Sequence, residues 1–408
     1  MNINTDNEKL RRQLDDHMAE VFDFTDLPGL AVGVRILPLG DEAGGDAFLS
    51  PLFDYSAALG RADRKEKTPL ATGTVFHMAS IAKLFTATAV MQLSEAGALD
   101  IDGKLADYLP GFRMDDPGYK AITLRHILSH TSGFPDVEDY HWKEPETDPG
   151  ALSVYARSDE IRKLRLLWEP SEGRFSYSNI GYDILGALIG EVSGQTFESY
   201  IDVNIFSPLM MSNSTFLTFM RTPEGRSLTG AARDAVSVAN LAACGVASPH
   251  FKEENRDIKG QDYFPYNRIH APSSTLTSTL ADIKKWGDAC LNGPACDCAA
   301  KCGPSFDEAE GRTIGKGKDT ILPVSFESLR LMWTPQAEVP DNGEMIGIGW
   351  FIRKQGGFTL YGHEGADDGF RSSFWICPEA GIQITVLSNM TKAPLKKINK
   401  GIFTLLTD

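Results

Sequence analysis

A run of apolar and small residues between Ser80 and Leu93 carries a single charge, on Lys83. The run is longer than a typical strand and apolar on every side, so it predicts a helix buried inside the protein. Gly97 stands where such a helix would end. An isolated ammonium group is costly to bury, because it loses its hydration. We therefore expect a core built around this helix and a functional role for Lys83.

Length and charge narrow the possible functions. The chain has 408 residues, enough for two lobes, and 42% of them are hydrophobic, so a large core can form. Its net charge of −15 would repel phosphate backbones and anionic lipid, so we expect neither nucleic acid nor a membrane as a partner. Residues 1–16 are polar and charged and lack the apolar segment of a secretory signal. We expect a soluble, cytoplasmic protein.

Strand patterns occur at both ends of the chain, and helical patterns and loops lie between them. This order predicts an α+β fold, with one antiparallel sheet built from both termini and flanked by helices. Residues 1–100 plus 326–408 are expected to form the sheet domain, and 101–325 an inserted, mostly helical domain. The expected strands are 30–37 and 52–59, which form a hairpin, and 346–352, 358–361, 371–377 and 382–388. The last of these alternates apolar and polar residues, which predicts a half-buried strand.

Cys296, Cys298 and Cys302 lie in a polar, Gly-rich stretch, 292–320, which we interpret as a loop insertion. With a fourth ligand these thiols could hold zinc, and two of them could form a disulfide. The spacing matches no common zinc-finger pattern, and a cytoplasmic chain keeps its thiols reduced. We therefore favour a surface insertion with free thiols, and we expect no metal and no cofactor.

The first group of residues that could take part in catalysis is Ser80-Ile81-Ala82-Lys83. Residues three apart lie on one face of a helix, so the Lys83 amine can reach the Ser80 hydroxyl. Serine becomes a good nucleophile when a base takes its proton, and lysine serves as that base when partial burial and positive surroundings lower its pKa. The alternative is an N-capping serine beside a solvated lysine. The apolar surroundings of Lys83 favour the catalytic interpretation.

Two further groups follow. Tyr177-Ser178-Asn179 precedes a predicted helix at 180–192; a phenol held as phenolate can transfer protons, and an amide can orient lysine and substrate. A packed aromatic residue is the alternative.

The segment 362–366, Gly-His-Glu-Gly-Ala, lies between two predicted strands, where its glycines would let a substrate approach the strand edge. Position 367 is Asp, so the H-E-x-x-H pattern of metalloproteases is excluded.

Together and in this order, the three groups resemble the serine β-lactamase and penicillin-binding-protein superfamily, in its class C-like branch of carboxylesterases, D-aminopeptidases and acyltransferases. The segments 128–133, Leu-Ser-His-Thr-Ser-Gly, and 347–350, Gly-Ile-Gly-Trp, are also similar to that family. The resemblance covers residues 26–407. It implies the β-lactamase-like fold.

The resemblance also implies residue roles. Ser80 would be acylated, Lys83 would activate it, and Tyr177 would pass protons to the leaving group and help activate the attacking water. Asn179 would bind the substrate and Lys83. The amides of Ser80 and Ala366 would bind the oxyanion, and His363 and Gly365 would line the substrate site. His130 and Thr131 are assigned to structure, because such polar turns mostly satisfy local backbone.

Two departures from the family pattern bear on the substrate. Most β-lactamases of this superfamily carry Lys-Thr-Gly where this chain has His363-Glu364-Gly365, and a histidine there is more typical of the esterases and aminopeptidases. Losing the lysine weakens recognition of a β-lactam carboxylate, and Glu364 would weaken it further. The segment 271–278 stands where relatives often have a Gly-rich turn, so the cleft wall is expected to differ.

The sequence therefore predicts a serine hydrolase that acts on a small ester or amide through an acyl-enzyme on Ser80. Three alternatives remain open: an acyltransferase of the same mechanism, a β-lactamase or D-aminopeptidase, and a non-catalytic homologue that only binds a ligand. The acidic chain makes neutral or cationic substrates more natural than anionic β-lactams.

Overall fold

A computed structural model describes ten segments of the chain. They are residues 6–39, 50–217, 219–222, 225–228, 245–253, 257–292, 304–307, 312–315, 323–340 and 342–407. Cys296, Cys298 and Cys302 lie outside the described residues. Of the predicted insertion 292–320, the structure describes its first residue and a short antiparallel pair of strands, Pro304–Asp307 and Arg312–Gly315.

The secondary structure follows the predicted order of strands, helices and strands. The α-helices are α1 Asn7–Thr25, α2 Ala82–Glu95, α3 Leu105–Tyr108, α4 Leu124–Leu128, α5 Ala151–Ala156, α6 Asp159–Lys163, α7 Asn179–Ser193, α8 Phe197–Ile201, α9 Leu280–Asn292, α10 Phe326–Met332 and α11 Leu395–Thr407. The strands are β1 Gly29–Ile36, β2 Phe53–Asp63, β3 Thr68–Pro69, β4 Phe76–His77, β5 Phe219–Thr222, β6 Gly225–Leu228, β7 His250–Lys252, β8 Ile258–Gly260, β9 Thr277–Ser278, β10 Pro304–Asp307, β11 Arg312–Gly315, β12 Ala337–Val339, β13 Glu344–Ile346, β14 Phe351–Gln355, β15 Phe358–Asp367, β16 Phe370–Cys377 and β17 Ile382–Ser388.

The main sheet joins the two ends of the chain. Its nine described strands run in the order β12-β13-β14-β15-β16-β17-β1-β2-β3. Inside it β1 pairs antiparallel with β17, with Gly33 opposite Thr385, and β2 completes the predicted hairpin with β1. The predicted α+β fold, an antiparallel sheet built from both termini and flanked by helices, is confirmed. The division into a sheet domain and an inserted helical domain stays a prediction.

Helices cover both faces of this sheet. One face of β1 and β17 packs in a cluster with α1 and α11, and the opposite face packs against α2 and α9. The prediction that β17 is half-buried is therefore wrong, because every residue of the strand is buried. Gln383, on the face under α9, donates from its amide nitrogen to the Lys284 carbonyl at 3.0 Å. Polar alternation in β17 marks a hydrogen-bonded helix contact, not a solvated face.

Two expected strands near the C-terminus have different bounds in the structure. The single strand predicted at 346–352 is two strands, β13 and β14, separated by a turn in which Gly349 has a φ of 79°. The strand predicted at 358–361 continues to Asp367 as β15. The segment 362–366 is therefore part of the strand and does not form a loop after it.

The apolar run that opens at Ser80 folds as expected. A 3-10 turn, Ala79–Ile81, leads directly into α2, and Leu84, Phe85 and Val90 are fully buried in the main core. The side chain of Lys83 is also fully buried, with 0% exposure. Helix α2 packs against α7 and α8 on one side, and the turn before it packs against β15 and β16.

Candidate active site

Ser80 lies in the turn that precedes α2, and this turn packs against β15 and β16 of the main sheet. The preceding residue, Ala79, has a φ of 48°, a left-handed conformation that costs a non-glycine residue free energy. The Met78 carbonyl accepts a hydrogen bond from the Ser372 hydroxyl of β16 at 2.6 Å. The turn that presents Ser80 is thus held to the sheet on one side and continues into the helix on the other.

Lys83 donates hydrogen bonds to three acceptors. Its Nζ lies 3.0 Å from Ser80 Oγ, 2.5 Å from Asn179 Oδ1 and 2.7 Å from the Ser273 carbonyl oxygen. The first contact is the one that the i, i+3 spacing predicts, and the second joins two of the motifs found in the sequence. The third comes from the segment 271–278, for which the sequence indicated only a changed cleft wall.

Burial lowers the pKa of Lys83 to about 8, against the opposing effect of Asp183, Asp136 and Asp367. We expected positive surroundings to contribute to this shift. The structure shows the reverse, because the charged neighbours are carboxylates and desolvation alone lowers the pKa. At a pKa of about 8, roughly a tenth of the amine is unprotonated at pH 7 and can accept the proton of Ser80, and this fraction grows as the pH rises.

Tyr177 is packed beside this lysine. Lys83 Nζ lies 4.9 Å from the centre of the Tyr177 ring, and the His130 ring stacks on the same tyrosine at 4.4 Å. Burial raises the pKa of Tyr177 well above its usual value, although a hydrogen bond with Ser80 opposes the shift. The expectation of a phenolate is therefore wrong for the resting site. Tyr177 is a neutral phenol with a proton to give.

Asn179 begins α7, and its amide is fully engaged. Besides accepting from Lys83, it donates from Nδ2 to Asp136 Oδ1 at 2.8 Å and to the Tyr140 hydroxyl at 2.6 Å. Its backbone N–H also donates to Asp136 at 2.8 Å. Sequence reasoning missed Asp136 and Tyr140, which carry no motif and lie shortly after the segment 128–133. The substrate-binding role of Asn179 stays a prediction.

The third motif lies on the open edge of β15. Pairing between β14 and β15 ends at Gly362, and among the described strands none pairs with residues 363–367 on that side. A Cβ at Gly365 would overlap with the Met78 carbonyl and the Ser372 hydroxyl, so only glycine lets the strand approach the nucleophile turn this closely. The neighbouring Ala366 is exposed. Its place in the oxyanion hole remains a prediction.

His363 and Glu364 point to opposite sides of β15. The buried His363 donates from Nδ1 to the Glu364 carbonyl at 2.6 Å, and burial together with Lys83 lowers its pKa to about 3. It is therefore neutral, with Nε2 as an acceptor. The Glu364 carboxylate accepts from Trp375 Nε1 at 2.6 Å and from the Ser373 hydroxyl at 3.0 Å. The expectation that Glu364 makes the site less welcoming to an anion is therefore wrong, because this carboxylate faces away.

The arrangement of a buried lysine on a serine at a helix start, with tyrosine and asparagine beside it, matches the family that the sequence resembles. The Beta-lactamase family matches residues 52–404 of this chain. The chain belongs to the beta-lactamase family. Over 171 residues, 42% of this chain, it is 33% identical to Penicillin-binding protein 4* of Bacillus subtilis (strain 168), and this alignment covers 37% of that relative.

Solved structures of this beta-lactamase fold cover nearly the whole chain. The octameric penicillin-binding protein homologue from Pyrococcus abyssi superposes with a TM-score of 0.72 at 24% identity, over 97% of this chain and 77% of that one. The D-amino acid amidase from Ochrobactrum anthropi SV3, complexed with L-phenylalanine amide, superposes with a TM-score of 0.64 at 21% identity, over 98% of this chain and 95% of that one.

In this beta-lactamase family member the segment 128–133 supports the residues that lead into α7. His130 Nδ1 accepts from the Ser178 backbone N–H at 3.1 Å, and its carbonyl accepts from the Ser176 N–H at 2.8 Å. These bonds hold the segment 176–178, which carries Tyr177 and leads into Asn179 at the start of α7. The geometry agrees with the structural role assigned to His130.

The described residues contain neither a candidate metal site nor a candidate membrane span. Among them, no group of three or more His, Cys, Asp or Glu side chains is placed to hold a metal ion. Within the same part of the chain, no helix combines the length and the apolar character that a membrane crossing requires.

Proposed function

We propose that this chain is a serine hydrolase that cleaves a small ester or amide through an acyl-enzyme on Ser80. The observation that carries the proposal is Lys83, a fully buried amine 3.0 Å from Ser80 Oγ whose pKa burial lowers to about 8. A base needs both reach and a pKa near the working pH, and Lys83 has both.

In the proposed acylation, Ser80 Oγ attacks the substrate carbonyl while its proton passes to Lys83 Nζ. The carbonyl oxygen becomes an oxyanion at the amides of Ser80 and Ala366, where each well-placed donor contributes roughly 3–4 kcal/mol. As the tetrahedral intermediate collapses, Tyr177 gives its proton to the leaving group and receives the proton held by Lys83. Water then attacks the ester on Ser80 with the same groups as base and acid, which releases the acid and restores the serine.

The polar groups around Ser80 favour a neutral or cationic substrate. At the third motif His363 is neutral and offers an acceptor, so it does not attract a carboxylate as a lysine would. Asp136 and Asp367 act on Lys83 from two sides, and their charges oppose an anion at this place. We therefore propose small esters and amides ahead of β-lactams. The D-amino acid amidase among the structural neighbours is named for a substrate of this kind.

The test is a substrate panel with Ser80→Ala as the control. An aryl ester, a D-aminoacyl anilide and a chromogenic β-lactam are each offered to the full chain, and covalent mass is read on the peptide that contains Ser80. We expect the ester or the anilide to acylate wild type and to turn over, and S80A to do neither. Equal labelling and turnover by wild type and S80A would contradict the proposal.

The pH dependence of acylation gives a second prediction. Only the unprotonated Lys83 can take the Ser80 proton, and burial holds the pKa of this lysine at about 8. The rate should therefore rise with pH, with a midpoint near 8, as Lys83 loses its proton. His363, with a pKa of about 3, adds no step in this range. Burst kinetics with an aryl ester measure the profile. A flat profile across neutral and alkaline pH would argue against Lys83 as the base.

A further inference from the structure

Behind Lys83 lies a buried acid–imidazole pair that the proposed mechanism does not use. Asp183 is 0% exposed and His270 is 3% exposed, and Asp183 Oδ2 lies 2.7 Å from His270 Nδ1. The rings of Tyr140, Trp142 and Tyr155 surround the imidazole, with centroids at 4.9, 5.9 and 5.9 Å. A polar pair enclosed by aromatic rings is costly to bury.

The pair connects the two elements that hold Lys83. On α7, Asn179, Asp183 and Gly186 lie on one face, because they are spaced by four and three residues. Gly186 packs so closely on the segment 268–275 that a Cβ there would overlap with Pro272. Through His270, Asp183 therefore ties α7 to the segment 268–275. Each element supplies one acceptor to Lys83: Asn179 Oδ1 from α7 and the carbonyl of the neighbouring Ser273.

Burial raises the pKa of the Asp183 carboxyl, and His270, a hydrogen bond with Ser273 and Lys83 oppose that shift. A neutral amide could make the bond to His270 at lower cost, so a carboxyl buried here calls for an explanation beyond the link between α7 and the segment 268–275. Lys83 is the nearby cation that the charge can act on, and Asp183 is the carboxylate with the largest effect on it.

We propose that Asp183, held by His270, is a positioning residue for Lys83: it keeps Asn179 Oδ1 and the Ser273 carbonyl in place at the amine and adds a carboxyl group behind it. This inference rests on the proposed roles of Ser80 and Lys83. Asp183 touches neither the substrate nor the serine. It acts on the base alone, by geometry and by charge.

Several other groups also face Lys83 and would remain in an Asp183 variant. On α7 and the turn before it they are Tyr177, Asn179 and Tyr182; on the segment 130–140 they are His130 and Asp136; on β15 they are His363 and Asp367. Tyr140 and His270 lie one contact further away, on Asn179 and Asp183. A change confined to Asp183 therefore removes one charge from an otherwise constant set.

The experiment compares pH profiles of Ser80 acylation by p-nitrophenyl acetate in wild type, Asp183→Asn and Asp282→Asn. We expect D183N to move the midpoint to lower pH by roughly 0.5–1 unit, because the lysine loses a stabilising negative charge. Its limiting rate at high pH should fall about 10-fold or more, because the base is held less well. D282N should keep the wild-type profile; Asp282 is equally buried but bonds to Asn213 and Ser214, away from the site.

Each outcome decides between the alternatives. A D183N profile that is lower at every pH with an unchanged midpoint would show a merely structural role and would overturn the proposal, as would an unchanged profile. Absence of acylation in wild type would instead contradict the proposed function.

If D183N does not fold, His270→Gln replaces it. We expect that variant to lose rate about 10-fold while its midpoint does not fall, since the carboxylate remains. A wild-type rate in H270Q would overturn the proposal.

Discussion

Replacing Lys83 by methionine is expected to lower the rate of Ser80 acylation by about 10³-fold or more. Methionine fills a similar volume in α2 but cannot accept the proton of the Ser80 hydroxyl, which lies 3.0 Å from the amine. Mass spectrometry of the ester-treated chain, sampled over time, measures the acylation rate directly. Steady-state turnover should fall in parallel, because no later step can begin without the acyl-enzyme.

Lys284→Met is the matched control for the removal of a buried amine. Lys284 is 3% exposed and donates to the Tyr55 carbonyl and the Ser56 hydroxyl, both at 2.7 Å, in the contact between α9 and the sheet. Its loss should lower the free energy of unfolding but leave acylation per folded molecule near wild type. If K83M retained the acylation rate, or if K284M lost as much as K83M, the assignment of Lys83 as the base would be wrong.

Gly365→Ala is expected to cost both stability and activity. The added Cβ would overlap with the Met78 carbonyl and the Ser372 hydroxyl, so the edge of β15 must move away from the turn that carries Ser80. Overpacking of this kind costs about 1–3 kcal/mol of unfolding free energy, and a shift of the catalytic groups by an ångström can cost about 100-fold in rate. Denaturant unfolding and burst kinetics measure the two effects.

Gly73→Ala provides the comparison. A Cβ at Gly73 would meet no atom within 4 Å, so the same chemical change there tests the effect of a methyl group without the overlap. We expect unfolding and acylation of G73A to stay close to wild type. If G365A behaved like G73A, the close approach of β15 to the nucleophile turn would not be needed for the site.

Much of the fold could be predicted from local patterns. The buried α2 follows from an apolar run that is too long for a strand, and the reach of Lys83 to Ser80 follows from helix geometry. The sheet built from both termini follows from strand patterns at the two ends. These features depend on residues near one another in sequence, so the sequence alone expresses them.

The rest depends on contacts between distant segments. Asp136 and Tyr140 engage the amide of Asn179, and the Ser273 carbonyl holds Lys83, although none of the three belongs to a motif. The burial of Gln383 depends in the same way on α9, which covers β17. A carbonyl oxygen has no sequence signature, and a carboxylate gains its role only when folding brings its partner to it. The negative sign of the charges around Lys83 could not be predicted for the same reason, because Asp136, Asp183 and Asp367 are distant from it in sequence.

The pairing of β1 with β17, which joins the two ends of the chain within the sheet, has a consequence for biosynthesis. A ribosome delivers the nucleophile turn early, but β15 and its glycine emerge only after most of the chain has been made. Until then the sheet lacks β15, β16 and β17, which lie between β14 and β1. Pairing between strands so distant in sequence is slow to form. A nascent or truncated chain would thus carry Ser80 and Lys83 without β15 and β16, the strands against which their turn packs. The proposed acylation of Ser80 is therefore not expected to begin until synthesis has passed β17.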